Sequence, residues 1–92
     1  MAKLSETELQ QAMQNLPGWS VRDNAIERNY KFADFVAAMV LVNRVAELAE
    51  QAQHHPDIDV RYNQVKIALS THDAGGITQK DADMAAKIAA LG

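Results

Sequence analysis

Leu9, Met13 and Leu16 recur at spacings of four and three residues within LSETELQQAMQNL, and Ser5 stands three residues before Glu8. Apolar positions at that interval line one side of an α-helix. A serine and a glutamate three apart can satisfy each other's free backbone amides at a helix start. The pattern predicts a short first helix ending at Pro17-Gly18. From Trp19 the pattern changes to alternation: Trp19 and Val21 fall on one side, Asp23-Asn24 supplies a turn, and Ile26, Tyr30 and Phe32 share a parity in AIERNYKF. Two alternating runs joined by such a dipeptide read as a β-hairpin.

A long helix is predicted from Asp34. Phe35, Ala38, Val42, Val45, Ala49 and Ala52 sit three and four apart on its apolar side, and Asn43, Glu47 and Glu50 mark its wet side. Pro56 ends it, because the residue before a proline is pushed out of the α region, so His55 is expected to be the first residue off the helix. VRYNQVKIALST alternates again, with Val65, Ile67 and Leu69 on one face and Lys66, Ala68 and Ser70 on the other. Turn-like residues interrupt it near Asn63-Gln64, which predicts a second hairpin. Gly75-Gly76 permits a tight path into Thr78, which caps a last helix with Asp81 at its third position and Met84, Ile88 and Leu91 facing inward. The order is α-β-β-α-β-β-α. So short a chain cannot cover both faces of four antiparallel strands, so the expected fold is α+β in two layers, helices over one face of the sheet.

Composition narrows the function classes. Ninety-two residues, 1–92, make one domain, and its core is light, because alanine supplies much of the 48% hydrophobic content and only one Trp, two Tyr and two Phe are present. A light core favours self-association. A formal charge of −3 with interspersed signs argues against direct nucleic-acid binding, which needs a concentrated basic face. No apolar signal core follows Met1 and no run is long enough to cross a bilayer, so the expected location is the cytoplasm, away from the membrane. The absence of cysteine excludes disulfides and thiolate metal sites.

The candidate chemistry lies in three histidines, His54 and His55 before Pro56 and His72 beyond the last strand. If the long helix persists, Glu47, Glu50 and His54 project from one stripe, and the helix C-terminus together with Glu50 favours the protonated form of His54. Such a group can act as a general acid. His55 is expected to point away from that stripe and to line a pocket wall, while His72 occupies a strand-end loop of the kind that carries function. Plainer readings stand beside these. A loop histidine is often only a surface residue, Glu47 and Glu50 can be the solvated side of an amphipathic helix, and Asp81 is explained as a helix-start residue. Three histidines can also hold a catalytic zinc, but adjacent histidines diverge, and two histidines four apart on a helix do not occur here.

The string Glu50, three residues, His54-His55-Pro56, five residues, Tyr62, nine residues, His72, eight residues, Asp81 resembles the signature of the pterin-4a-carbinolamine dehydratases. Trp19 and the KFADF entry to the long helix fit that family too, whereas Ile58 departs from the tryptophan that many members carry, a change at one pocket edge. The resemblance implies a two-layer α+β fold assembled into homodimers or homotetramers that extend the sheet. It implies dehydration of 4a-hydroxytetrahydropterin to quinonoid dihydropterin, which recycles the cofactor of aromatic amino-acid hydroxylases, with no metal or organic cofactor. By position it makes His54, His55 and His72 the active-site histidines, with Gln53, Ser70, Thr71 and Asp73 as pterin-contacting neighbours. On this reading His54 and His72 are acid and base about C4a, His55 orients the ring, and Glu50 tunes or holds His54. Two rival readings remain: a protein-interaction module using an exposed apolar helix face, as some animal relatives do with a transcription factor, and a zinc hydrolase sensitive to chelators.

Overall fold

A computed structural model of the chain describes residues 2–91. Its elements run α1 (Glu6–Gln14), β1 (Ser20–Arg22), β2 (Ala25–Lys31), α2 (Phe35–Ala52), β3 (Asp57–Arg61), β4 (Gln64–Leu69), a 3-10 turn (His72–Ala74) and α3 (Gln79–Ala89). The fold is therefore α+β in the expected order. The four strands form one antiparallel sheet in the order β1-β2-β4-β3, with β1 and β3 as its edges.

Alternation along the strands separates the two faces. Val65, Ile67 and Leu69 of β4, with Ile26 of β2, are buried against Ala38, Leu41 and Val45 of α2 and Met84, Ala85 and Ile88 of α3, with Leu16 and Trp19 completing the cluster. The intervening residues of the two central strands, including Asn29, Lys31, Gln64 and Lys66, fall on the opposite, polar face. Ser5 and Glu8 form the predicted capping box at 2.8 and 3.1 Å. Asp34 caps α2 through the Ala37 amide at 2.9 Å.

Three local expectations change. The second hairpin turns at Tyr62-Asn63, with Tyr62 left-handed at φ 54, so Gln64 already belongs to β4. Phe35 is 48% exposed although it was placed on the apolar side of α2. At about 100° per residue it lies roughly 60° from Ala38, at the margin of the buried stripe, which spreads instead towards Leu41 and Leu48. The long helix also stops early, at Ala52. Gln53 turns left-handed at φ 52, and the His54 amide reaches back five residues to the Ala49 carbonyl at 3.1 Å, a Schellman-type closure that ends the helix before Pro56 can.

Candidate active site

That early closure decides where the paired histidines go. Once the chain has turned at Gln53, His54 and His55 leave the helix end in different directions. His54 reaches α3, where its Nε2 lies 2.5 Å from Asp81 Oδ1. His55 folds back on α2, its Nε2 2.5 Å from Glu50 Oε2. The sequence had assigned Glu50 to His54, a pairing that needs His54 to remain helical. Gln53 breaks that continuity, so Glu50 serves His55 and Asp81 serves His54.

Asp81 is more than the helix-start residue its spacing predicts. It is fully buried, and its Oδ2 accepts from the Thr78 amide at 2.8 Å and the Thr71 hydroxyl at 2.9 Å, leaving Oδ1 for His54. Two donors on one oxygen stabilise the carboxylate in an interior that would otherwise disfavour its charge. The side chain of His54 is only 12% exposed, whereas those of His55 and Glu50 are 58% and 72% exposed. The first pair is therefore a shielded charge-assisted contact and the second is open to solvent screening. A carboxylate accepts only, so the His54 ring carries its proton on Nε2 and leaves Nδ1 as the nitrogen free to exchange one.

His72 arrives from the other direction. The end of β4 is held by a bridge between Thr71 and Gly76, with amide bonds in both directions at 2.8 and 3.3 Å, and the 3-10 turn between them presents an exposed His72. Gly75 permits this turn by adopting φ 75 while its amide bonds to the His72 carbonyl at 3.0 Å.

The helix end and the strand end meet in one cleft of about 310 Å³. Gln53, His54 and His55 line it from the end of α2, and Ser70, Thr71, His72 and Asp73 line it from the end of β4. All three histidines and all four predicted neighbours are thus brought together. Glu50 reaches the cleft only through His55. Lys80, at the start of α3, also lines it, a residue that no spacing or motif in the sequence marks. Tyr62 does not take part: it occupies the turn at the far end of β3 and β4, 65% exposed. Ile58 packs against the core rather than lining the cleft. Among the described residues no three His, Asp or Glu side chains are arranged to hold a metal ion.

The cleft can therefore move protons: it has one imidazole fixed by a buried carboxylate, one held by an exposed carboxylate, and one on a strand-end turn, with hydroxyl and amide groups between them. Comparison with known proteins gives the family. The family model described as pterin 4 alpha carbinolamine dehydratase matches residues 2–91. A relative in Acidobacterium capsulatum, named provisionally as a pterin-4-alpha-carbinolamine dehydratase, is 55% identical over 91 residues, covering 99% of both chains. A similarly named relative in Thermomicrobium roseum is 50% identical, covering 99% of this chain and 98% of its own. Among solved structures, a transcriptional coactivator/pterin dehydratase from Brucella melitensis superposes with a TM-score of 0.92 at 38% identity, covering 97% of each chain. A pterin dehydratase-like protein identified as a RuBisCO assembly factor in the alpha-carboxysome shares the fold at a TM-score of 0.64 and 20% identity, over 79% of this chain and 84% of its own. Matched by the family model over residues 2–91 and by a relative at 55% identity over 99% of its length, the chain belongs to the pterin-4a-carbinolamine dehydratase family.

Proposed function

We propose that the protein dehydrates 4a-hydroxytetrahydropterin to quinonoid dihydropterin by general acid–base catalysis. The observation that carries this reading is the convergence of His54, His55 and His72 on one cleft, two of them held by carboxylates. In the substrate the lone pair of N5 expels the 4a-hydroxyl. The C4a–O bond breaks as an acid protonates the departing oxygen, a base takes a proton from the ring nitrogen system, and the products are water and the quinonoid ring. Little else is required, because the leaving group is already pushed by the adjacent nitrogen. A positioned acid or base typically contributes about a hundredfold to ten-thousandfold.

His54 and His72 are assigned as the acid and base flanking C4a, and His55 as the group that orients the ring. Asp81 positions His54, and Glu50 positions His55. Gln53, Ser70, Thr71 and Asp73 supply donors and acceptors for the polar edge of the pterin. In the cell such an activity supports an aromatic amino-acid hydroxylase by returning its spent pterin.

A second role rests on a separate observation. Val36 and Val40 lie one turn apart on the outer side of α2, 71% and 49% exposed, beside Phe35. Such an apolar patch supports self-association into a homodimer or homotetramer. The Brucella relative's description as a coactivator is consistent with protein binding through a surface of this kind.

The dehydratase reading is tested by following the decay of 4a-hydroxytetrahydropterin in a stopped-flow instrument, with and without purified protein. A decay that accelerates in proportion to protein concentration supports it. Decay at the spontaneous rate overturns it.

A further inference from the structure

The two limbs of the turn that carries His72 are held differently. On the outgoing limb Thr71 is tied to α3: its hydroxyl donates to Asp81 Oδ2 at 2.9 Å and lies 2.8 Å from the Thr78 hydroxyl. The returning limb is Gly75-Gly76, which has no side chains to fix it and the most backbone freedom to lose. Within the turn, the bridge to Thr71 is what holds Gly76.

A segment that no other part of the site uses lies against this glycine limb. The Leu4 amide donates to the Ile77 carbonyl at 2.9 Å, and the Leu4 side chain packs on the core. Lys3 runs its stem over Gly76: a Cβ built on that glycine would stand 2.8 Å from Lys3 Cδ and 3.6 Å from Cγ. Gly76 is buried, and its φ lies outside the left-handed region that Gly75 occupies. The backbone of the turn therefore does not require glycine at 76, whereas the close approach of Lys3 does. Directly after Leu4, Ser5 opens α1 with its capping box, which fixes the direction from which the segment arrives.

We propose that Lys3 and Leu4 form a strap that positions His72, stiffening the Gly75-Gly76 limb and so setting where the strand-end imidazole stands relative to His54 across the cleft. This rests on the dehydratase reading for its effect on turnover, and on the fold alone for its effect on the turn. A reacting group misplaced by about 1 Å can lose about a hundredfold in rate. His72 keeps the Thr71 bridge when the strap is released, so the expected loss is a part of that, about five- to twentyfold in kcat with KM within about twofold.

The test releases the strap without altering a residue that lines the cleft. Leu4→Pro deletes the one amide donor, whereas Leu4→Ala keeps it and deletes only the apolar side chain. Gly76→Ala pushes the Lys3 stem away. Gly76→Ala combined with Lys3→Ala gives the new methyl the space the stem occupied, and the alanine itself restricts the backbone that glycine leaves free. Turnover of 4a-hydroxytetrahydropterin is measured for each variant, together with hydrogen exchange at the Ala74 and Gly75 amides, which close the turn on the Thr71 and His72 carbonyls. Leu4→Pro and Gly76→Ala are expected to lose about five- to twentyfold in kcat and to exchange both turn amides about tenfold faster, while the Ile67 amide in β4 is unchanged. Leu4→Ala and the double variant are expected to stay within about twofold of the wild type. Native turnover and native exchange in Leu4→Pro, or an equal loss in Leu4→Ala, overturns the strap. If Leu4→Pro does not fold, the Gly76 variants decide: native behaviour of Gly76→Ala, or a loss that Lys3→Ala does not relieve, overturns it. Absence of turnover in the wild-type protein overturns the dehydratase reading, and the exchange rates then decide the strap by themselves.

Discussion

Replacing Asp81 with asparagine reverses a hydrogen bond instead of removing one. Thr71 Oγ1 and the Thr78 amide both donate to Oδ2, so the asparagine oxygen must stay where they point and its amino group must face His54. An amino group donates only, so His54 Nε2 becomes the acceptor and the neutral ring carries its proton on Nδ1. The nitrogen that is free to exchange a proton in the native site is thereby occupied by one. A charge-assisted bond gives way to a neutral one, which costs about 1–2 kcal/mol of stability at this buried position. The effect on turnover is far larger: loss of a correctly protonated acid or base removes about a hundredfold to ten-thousandfold from kcat. Stopped-flow turnover of 4a-hydroxytetrahydropterin measures the rate, denaturant unfolding measures the stability, and 15N NMR of labelled histidine reports which ring nitrogen holds the proton. A folded Asp81→Asn protein whose kcat stays within about twofold of the native value, a barrier change of about 0.4 kcal/mol, would refute the positioning role.

Further outcomes follow from the core, the buried phenol and the outer face of α2. Ile67 is fully buried at the centre of β4, and Ile67→Ala is expected to cost about 2–5 kcal/mol in denaturant unfolding; a loss under about 1 kcal/mol would contradict the packing described here. Burial raises the Tyr30 phenol above its ordinary value of 10.0, opposed by the Arg28 guanidinium 4.5 Å from its ring. The unfolded phenol therefore ionises first, so the contribution of Tyr30 to stability is complete below that value and is lost as pH rises from it through the folded pKa. Phenolate absorbance in a Tyr62→Phe variant isolates this titration, and a midpoint at or below 10.0 would contradict it. Val36→Glu combined with Val40→Glu is expected to shift the protein to a smaller species in sedimentation equilibrium without unfolding it; an unchanged mass would exclude this face from the assembly.

The strands and the three helices were legible because each is a run of strict period, and short loops leave little freedom in joining them. Val65, Ile67 and Leu69 alternate without interruption, and all three are buried. The partners of the histidines were not legible in the same way. Glu50 stands four residues before His54 and Asp81 twenty-seven after it, so sequence proximity favours the wrong carboxylate. Only the left-handed turn at Gln53 resolves this, and glutamine carries none of the preference for that conformation that glycine or asparagine would have signalled. Asp81 was read as a helix cap because its spacing from Thr78 suffices for that. A single carboxylate serving both as cap and as histidine partner cannot be told from a plain cap by spacing. The family signature does contain Asp81, and that was the one signal that could have found it. Lys80 had no signal of its own, since its place in the cleft follows from where α3 begins relative to β4.

The central claim is that His54 and His72, one from a helix end and one from a strand end, act on the same substrate in one cleft. Single-turnover decay of 4a-hydroxytetrahydropterin with excess wild-type, His54→Ala or His72→Ala protein tests it directly. Each substitution is expected to slow the catalysed decay by about a hundredfold or more while unfolding remains cooperative. Two folded variants that both turn the substrate over at the wild-type rate would contradict the account.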